Sequence, residues 1–338
     1  MDLSVVICSQ NPRPHYFARV LEALRNQSLD QDRWELLVID NGSKEPLKAA
    51  WDLSWHPHAR HVSEDEPGVV AARRRGMVES VTDLLVYVDD DNVLASNYLS
   101  CACKIKNEWP LLGTWGSGCI VPEFEIEPPE HLTEFLHVLT LREVKSPRWS
   151  NTFAGAGLHP EVAPWGAGQC IRTEVMREYC RFSEQSKIRI PARIVDIQEN
   201  RVARFILNGT ARRWWGRDSG LESQARVSSG GAEDIEMSFV ACDLGWGMGI
   251  FPELRVTHLI PKERISDDYF LKIGEITGTS NLILEYKWHG IEPRDPFSLR
   301  GIIGALKQAA TTRGFRRQMY FAGLRAAIRA QSIIAASD

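Results

Sequence analysis

The chain has 338 residues, of which 43% are hydrophobic and 25% are charged, which is enough for one large domain or two smaller ones. Its net charge of −4 gives no reason to expect a nucleic-acid partner. The seven cysteines lack the spacing of a zinc site, and no apolar run approaches the roughly eighteen residues of a membrane span. We expect reduced thiols in a cytoplasmic protein that does not cross a membrane.

Residues 1–97 alternate strand and helix signals. Short apolar runs predict strands, and apolar residues at helical spacing predict helices between them. The predicted strands are 4–8, 34–40, 59–64 and 83–89, and the predicted helices are 16–27, 45–53 and 68–80. Nearly continuous apolar strands are typical of a parallel sheet covered on both faces. The alternation therefore predicts an α/β fold with helices on both sides of the sheet.

The pattern after residue 97 is less regular. The predicted elements are a helix at 97–109, a glycine-broken strand at 114–124, a strand leading into a helix within 165–179, a helix within 230–245, two short strands within 248–261, a helix at 266–288 capped by Ser266, and a helical tail at 296–338. Residues 183–229 are basic with poor periodicity, which fits either helices or a mobile loop that closes over an acceptor.

Polar side chains follow three of the predicted strands. Ser9, Gln10 and Asn11 follow the first strand, Asp40 and Asn41 the second, and 89–92 the fourth. In parallel sheets, ligands bind beyond the carboxyl ends of the strands. We therefore expect these side chains to line one site.

Three consecutive aspartates follow the fourth strand. Alternate residues at a strand end point the same way, so Asp89 and Asp91 can face one ligand while Asp90 takes the other side. Converging carboxylates repel unless a cation neutralises them, and Mg²⁺ or Mn²⁺ prefers such oxygen ligands. A solvated acidic turn is the alternative interpretation.

A second acidic cluster opens the helix predicted within 230–245. Glu233 and Asp234 can favour the helix dipole, or one of them can act as a general base that takes a proton from a hydroxyl group. Asp234 is the preferred base and Glu233 the second choice. His258 follows a β-branched strand and is either a structural histidine or a metal ligand.

Six segments together resemble the motif series of the inverting nucleotide-sugar glycosyltransferases of family 2, which have the GT-A fold. They are SVVICSQNPRP, ELLVIDNGS, EPGVVAARRRGM, LLVYVDDDNVL, GAGQCIRTEV and GGAEDIEM. The resemblance covers roughly residues 3–260. It implies a Rossmann-like, mostly parallel central sheet flanked by helices, with a helical C-terminal appendage.

The resemblance also implies roles for single residues. The base-binding acid is Asp40, while Asn41 stands where many relatives carry a second aspartate, which leaves uracil or thymine open. Arg73 matches a donor-facing position, with Arg74 and Arg75 as alternatives. Together with the strand-end pattern, the donor-binding set is Ser9, Asn11, Asp40, Asn41, Arg73, Asp89, Asp90 and Trp165; the metal set is Asp91, Asp89 and His258; and the catalytic pair is Asp234 and Glu233.

The implied activity is transfer of a sugar from a UDP- or dTDP-sugar to a hydroxyl of a saccharide or lipid-linked saccharide, with Mn²⁺ or Mg²⁺, in surface polysaccharide or glycoconjugate synthesis. Residues 1–290 form the catalytic domain, with a nucleotide-binding half at 1–97 and an acceptor half at 98–265. Trp165, Trp214, Trp215 and Trp246 offer aromatic faces for sugar rings, although each also suits core packing, which is favoured for Trp246.

Two other activities stay open. A sugar-phosphate nucleotidyltransferase can use the same kind of sheet and metal, but such enzymes carry a glycine-rich loop after the first strand, where this chain has SQNPRPH. A catalytically silent sugar-binding module is expected to lose its acidic residues, and both acidic clusters are present here.

The basic, amphipathic C-terminal region, 291–338, has two interpretations. Residues 296–338 contain seven Lys and Arg against one Asp, so the tail can lie on the anionic inner face of the cytoplasmic membrane. A helix that packs back on the domain or pairs two subunits is the alternative.

Overall fold

The computed structural model describes residues 1–152, 162–184 and 232–335. The predicted basic segment 187–226, with Trp214 and Trp215, lies outside the described residues, as do the glycines that precede Glu233. No disulfide links the seven cysteines, all of which are in the described ranges.

One sheet contains the strands of the described part. They are β1 Leu3–Ser9, β2 Trp34–Asp40, β3 Ala59–Ser63, β4 Leu84–Val88, β5 Asn92–Leu94, β6 Leu112–Phe124, β7 Arg142–Glu143, β8 Arg148–Ser150, β9 Cys170–Arg172 and β10 Gly247–Ile260. The main path through the sheet has the order β3-β2-β1-β4-β9-β6-β10-β5. The first four strands in this order are parallel, as are β6 and β10, whereas β9 and β5 run antiparallel to their neighbours. The predicted α/β fold with a mostly parallel central sheet is confirmed.

The helices are α1 Pro14–Arg25, α2 Leu47–Ala50, α3 Val69–Glu79, α4 Tyr98–Glu108, α5 Thr173–Glu184, α6 Glu233–Asp243, α7 Asp267–His289, α8 Leu299–Thr311 and α9 Gly314–Ala335. Short 3₁₀ helices lie at Gln31–Arg33, Glu130–Leu139 and Lys262–Arg264. The buried residues of α1 include Phe17, Val20, Leu21 and Leu24, because the helix places residues three and four apart on one face.

The region 248–261 differs from the prediction of two short strands. It forms one strand, β10, whose pairing with β6 is irregular between Phe251 and Arg255. Pro252 lies within the irregularity, and proline cannot donate a hydrogen bond to a neighbouring strand. The strand therefore bulges at this point and continues to Ile260, which keeps His258 in the sheet.

The chain divides into two compact units. The first comprises the described residues of 1–125, 140–181 and 237–260 and contains the sheet with α1 to α4. The second comprises the described residues of 126–139, 182–236 and 261–338.

In the second unit α7 packs on α9. The Thr279 hydroxyl donates to the carbonyls of Glu275 and Ala326, and alanines at every fourth position of α9 are buried. The helix α7 starts at Ser266, whose Oγ accepts the Tyr269 amide at 3.4 Å, so the predicted cap is confirmed. Within the described residues, the helices all fall short of the length and apolar character that a membrane span requires.

Candidate functional site

Parallel pairing brings the ends of the first strands to one level. Ser9 of β1 is in register with Asp40 of β2, and Asp40 with Ser63 of β3. The fourth parallel strand, β4, ends at Val88, and the aspartates follow it directly. The Ser9 hydroxyl donates a short hydrogen bond to Asp90 Oδ2. The structure therefore brings these predicted site residues to the same edge of the sheet.

Asp40 is held as an anion. Its Oδ1 accepts the Ser43 amide and its Oδ2 accepts the Leu47 amide, both at 2.9 Å. Burial raises the pKa of Asp40, but these hydrogen bonds outweigh it, so the pKa lies below the ordinary value. Each carboxylate oxygen can accept a second hydrogen bond. Asp40 can therefore receive an N–H group from a ligand while it also fixes the turn before α2.

Asn11 and Asn41 shape the loops beside Asp40. Asn11 has a φ of 52°, a left-handed conformation that asparagine tolerates, and its Oδ1 accepts the Lys44 amide at 2.9 Å. The Asn41 Nδ2 donates to the carbonyls of Glu64 and Glu66, and its Oδ1 accepts the Gly68 amide. Asn41 thus ties the end of β2 to the loop that leads into α3.

The three aspartates form a turn instead of extending β4. The Asn92 amide donates to the Asp89 carbonyl at 3.2 Å, so Asp90 and Asp91 occupy the middle of the turn. The Asn92 side-chain amide donates to Asp89 Oδ2 and Asp91 Oδ1, both at 3.1 Å. Asp89 and Asp91 therefore share an amide partner within a turn, whereas the sequence predicted that they alternate along an extended strand end.

Asp91 lies beside His258. In the antiparallel pairing of β5 with β10, His258 is opposite Asn92, and the Leu259 amide donates to the Asp91 carbonyl at 2.9 Å. His258 Nε2 and Asp91 Oδ2 are 3.6 Å apart, with side chains 10% and 11% exposed. Asp91 and His258 thus place an oxygen and a nitrogen atom that can bind a metal ion close together, in a buried position at the end of the aspartate turn.

Arg73 lies near both the aspartate turn and Gly166. Its guanidinium group is 3.7 Å from Asp89 Oδ1, and the Arg73 side chain is only 4% exposed. A Cβ at Gly166 would lie 2.6 Å from Arg73 Nη2, so a larger residue here would displace the guanidinium. Trp165, the preceding residue, stacks under the Arg142 guanidinium at 3.3 Å.

The alternatives to Arg73 point elsewhere. Arg74 pairs with Glu66 at 2.5 Å and Arg75 with Glu79 at 2.8 Å. Among these three consecutive arginines, Arg73 is the one whose buried guanidinium approaches the aspartate turn.

The oxygen and nitrogen atoms at the aspartate turn suit the binding of a hard divalent cation. Across the described ranges, no group of three or more His, Cys, Asp and Glu side chains is arranged to hold a metal ion. Mg²⁺ and Mn²⁺, however, are commonly held by one or two protein ligands together with substrate phosphates. Asp91 and His258 are such a pair, and Asn92 Oδ1 is buried without a hydrogen-bond partner among the described residues. The residues present fit a metal ion that binds with a phosphorylated ligand.

Glu233 and Asp234 lie in the first turn of α6, in the second unit. Asp234 is partly exposed, and its Oδ1 accepts the Ile235 amide at 2.8 Å. Glu233 is 8% exposed. Of the two, Asp234 is better placed to exchange a proton with a ligand from solvent.

Glu236, in the same turn, is buried in an ion pair. Its Oε1 accepts Lys287 Nζ at 2.7 Å and Trp288 Nε1 at 3.1 Å, both from α7. This contact fixes the start of α6 against α7.

Sequence reasoning included Asn92 in the site but did not predict that it bridges Asp89 and Asp91, and it missed the contacts of Arg142 and Glu236. Glu236 belongs to the GGAEDIEM motif, which is a signal that could have pointed to it. Arg142 lies in a stretch without periodicity, where nothing in the sequence signals its contact with Trp165.

Comparisons with known proteins bear on the family and the fold of the chain. Residues 4–104 match the family model described as Glycosyl transferase family 2, while no curated protein matches the chain. Among solved structures, the mannosyltransferase PcManGT from Pyrobaculum calidifontis in complex with GDP-Man and Mn²⁺ has a TM-score of 0.55 at 13% identity, over 97% of this chain and 86% of that chain. TarS 1–349 from S. aureus has a TM-score of 0.47 at 13% identity, over 99% and 83%. Residues 4–104 thus resemble glycosyl transferase family 2, and the fold of the chain is similar to the GT-A fold of this mannosyltransferase.

Proposed function

We propose that this chain is an inverting, metal-dependent glycosyltransferase that moves a sugar from a UDP- or dTDP-sugar to a hydroxyl of a saccharide or lipid-linked saccharide, in surface polysaccharide or glycoconjugate synthesis. The observation that carries the proposal is the meeting of Asp40, Arg73 and the aspartate turn at the carboxyl ends of parallel strands. That edge is where sheets of this kind bind nucleotides.

Both acidic and basic side chains bind the nucleotide-sugar donor. The Asp40 carboxylate accepts an N–H of the base, and Ser9, Asn11 and Asn41 shape the pocket around it. The buried Arg73 guanidinium, beside Asp89, supplies positive charge to the sugar-diphosphate. The Trp165 ring offers an apolar face to the donor sugar.

Asp91 and His258 hold the metal ion, with Asp89 beside them. Manganese is also named with the mannosyltransferase of similar fold. When bound, Mn²⁺ or Mg²⁺ supplies positive charge that stabilises the nucleoside diphosphate as it leaves.

Asp234 acts as the general base, with Glu233 as the second choice. The carboxylate of Asp234 takes the proton of the acceptor hydroxyl as that oxygen bonds to the anomeric carbon. The bond from the anomeric carbon to the diphosphate oxygen breaks on the opposite face, and its electrons leave with the nucleoside diphosphate. The product anomer is therefore inverted.

These roles assign a different function to each segment of the chain. Residues 1–97 carry most of the donor-binding groups, 98–265 supply the acceptor side, and 291–338 form a region appended to the catalytic domain of 1–290.

The test of the proposal is the variant Asp234→Asn. With the donor sugar identified from a nucleotide-sugar panel, we expect the transfer rate to fall by roughly a hundredfold to ten-thousandfold, because the amide cannot accept the proton. Donor binding and the melting temperature should stay near those of the wild type. The NMR spectrum of the product should show the inverted anomer.

Asp268→Asn is the matched control. Asp268 is an exposed acid in the first turn of α7, so its loss also removes a favourable interaction with a helix dipole. Transfer by this variant should be normal. Near-normal turnover by Asp234→Asn, or a retained anomer, would show that the proposed mechanism is wrong.

A further inference from the structure

The helix α8 presents large apolar side chains that the described part of the chain does not cover. Leu299, Ile302, Ile303 and Leu306 follow the i, i+3, i+4, i+7 spacing of one helix face. These four side chains are between 45% and 75% exposed, and Phe297, just before the helix, is 70% exposed. Since α8 buries none of its residues against the described chain, this apolar face contributes little to the folding of its own unit.

The opposite side of α8 carries small residues. A Cβ at Gly304 would lie 3.9 Å from the Tyr320 hydroxyl of α9. At about 100° per residue, Gly304 is roughly opposite the centre of the apolar face. The helix therefore turns its small residues toward α9 and its large apolar residues away from it.

Positive charge borders the exposed apolar face. Arg300 and Lys307 are exposed and lie along the same edge of α8, which contains no acidic residue. Neither forms an ion pair with the described part of the chain. The surrounding segment, 296–338, holds seven basic residues and one acidic residue. An amphipathic helix with basic residues beside a bulky apolar face is the pattern of a helix that lies in a membrane interface.

We propose that α8 docks the protein on an anionic bilayer surface. The apolar face formed by Phe297, Leu299, Ile302, Ile303 and Leu306 inserts between the lipid headgroups, while Arg300 and Lys307 contact lipid phosphates. Each basic residue near an anionic surface contributes about fivefold in affinity. A second copy of this chain fits the face less well, because pairing would bring two basic helices together. The proposal does not depend on the activity at the aspartate turn.

Vesicle co-sedimentation of the full-length protein tests the proposal. We expect binding to vesicles that contain about one third phosphatidylglycerol, little binding to pure phosphatidylcholine, and weaker binding as NaCl rises. The double variant Leu299→Ser/Leu306→Ser should bind at least about tenfold more weakly. Its melting temperature should be unchanged, because these side chains are not packed in the fold. Arg300→Gln/Lys307→Gln should lose affinity for the anionic vesicles specifically.

The matched control is Val81→Ser/Leu111→Ser. These two apolar residues are 66% and 76% exposed but lie in the first unit, so vesicle binding should persist. The proposal is overturned if the wild type ignores anionic vesicles, if the α8 variant binds as the wild type does, or if both double variants lose binding equally. It is also overturned if the α8 variant only converts an oligomer into monomers, which would make α8 an interface between copies.

Discussion

The amide of Asn92 accounts for the stability of three aspartates in one tight turn. It donates to both Asp89 and Asp91, while Asp90 accepts the Ser9 hydroxyl and Asp89 lies near Arg73. The turn therefore holds three carboxylates close together, each with a hydrogen-bond or ion-pair partner.

Asn41 makes contacts that an aspartate at this position could not make. Its amide donates to the carbonyls of Glu64 and Glu66. An aspartate has no donors and would place its oxygens against those two carbonyls. In this chain the position serves the loop before α3, the helix that carries Arg73.

His56 makes the stability of the fold depend on pH. Burial, and to a lesser extent the neighbouring His58, lower the pKa of His56 to about 4. In the unfolded chain this histidine binds a proton below about pH 6.5. Between these two values the unfolded state binds more protons than the folded state, so the stabilising contribution is fully present above about pH 6.5 and is lost as the pH falls toward 4.

We therefore expect the melting temperature to fall on going from about pH 7.5 to about pH 4.5, and to fall a few degrees less in His56→Phe. Phenylalanine keeps the ring packed against Trp34, whose centroid is 4.1 Å away, but does not titrate. Thermal unfolding followed by circular dichroism measures the difference.

Replacement of the exposed His137 by asparagine is the control and should leave the pH dependence unchanged. Parallel pH profiles for the wild type and His56→Phe would contradict the assignment to His56.

At the scale of elements, the junction of α6 with α7 supports the candidate base. Glu236 lies two residues after Asp234 and receives both Lys287 and Trp288 on one oxygen. Lys287 Nζ is also 4.5 Å from the centre of the Phe182 ring. A buried pair of this kind costs much when one partner is removed, because the other charge is left without compensation.

Lys287→Met should accordingly lower the free energy of unfolding by about 3–5 kcal/mol, measured by urea denaturation. The double variant Glu236→Met/Lys287→Met should recover part of this loss, since neither charge is then buried alone. Transfer activity should fall in the single variant even where the protein remains folded, because the first turn of α6 carries Asp234.

Another ion pair of α7 provides the comparison. Arg325 pairs with Glu275 at 2.8 Å in a largely exposed position, so Arg325→Met should cost less than about 1 kcal/mol. Equal losses of unfolding free energy in the Lys287 and Arg325 variants would mean that the buried pair contributes no more to stability than the exposed one.

The elements also show what sequence patterns can predict. Strands β1, β2 and β4 were predictable because each is a continuous apolar run between polar turns, and this order places Ser9, Asp40 and the aspartates at one edge. The continuity of β10 through Pro252 was not predictable from the sequence, because it depends on pairing with β6, which is distant in sequence. The stack of Arg142 on Trp165 likewise depends on long-range packing that local patterns do not encode.

At the scale of the whole molecule, ligand binding to the folded state should raise thermal stability. A ligand at a hundred times its dissociation constant stabilises by about 2.7 kcal/mol, or several degrees in melting temperature. We expect UDP with Mn²⁺ to give such a shift and UDP alone to give a much smaller one. Asp91→Asn should abolish the metal-dependent part, because it removes a carboxylate beside His258.

Asp83→Asn is the control for this measurement. Asp83 lies next to the amino end of β4, the opposite end of the strand that leads to Asp91, and forms a surface pair with Lys106. Its variant should respond to UDP and Mn²⁺ as the wild type does. A full shift with UDP alone, or in Asp91→Asn, would count against the assigned metal site.

The apolar face of α8 is not packed against the described part of the chain, and this affects how selection would act on its residues. Most apolar side chains in a protein are retained by selection for stability, so their persistence says little about function. Leu299, Ile302, Ile303 and Leu306 do not pack in their unit, and random substitution by polar residues would carry almost no folding penalty. If close homologues nevertheless keep bulky apolar residues at these four positions, selection must be acting on what the helix touches outside the chain.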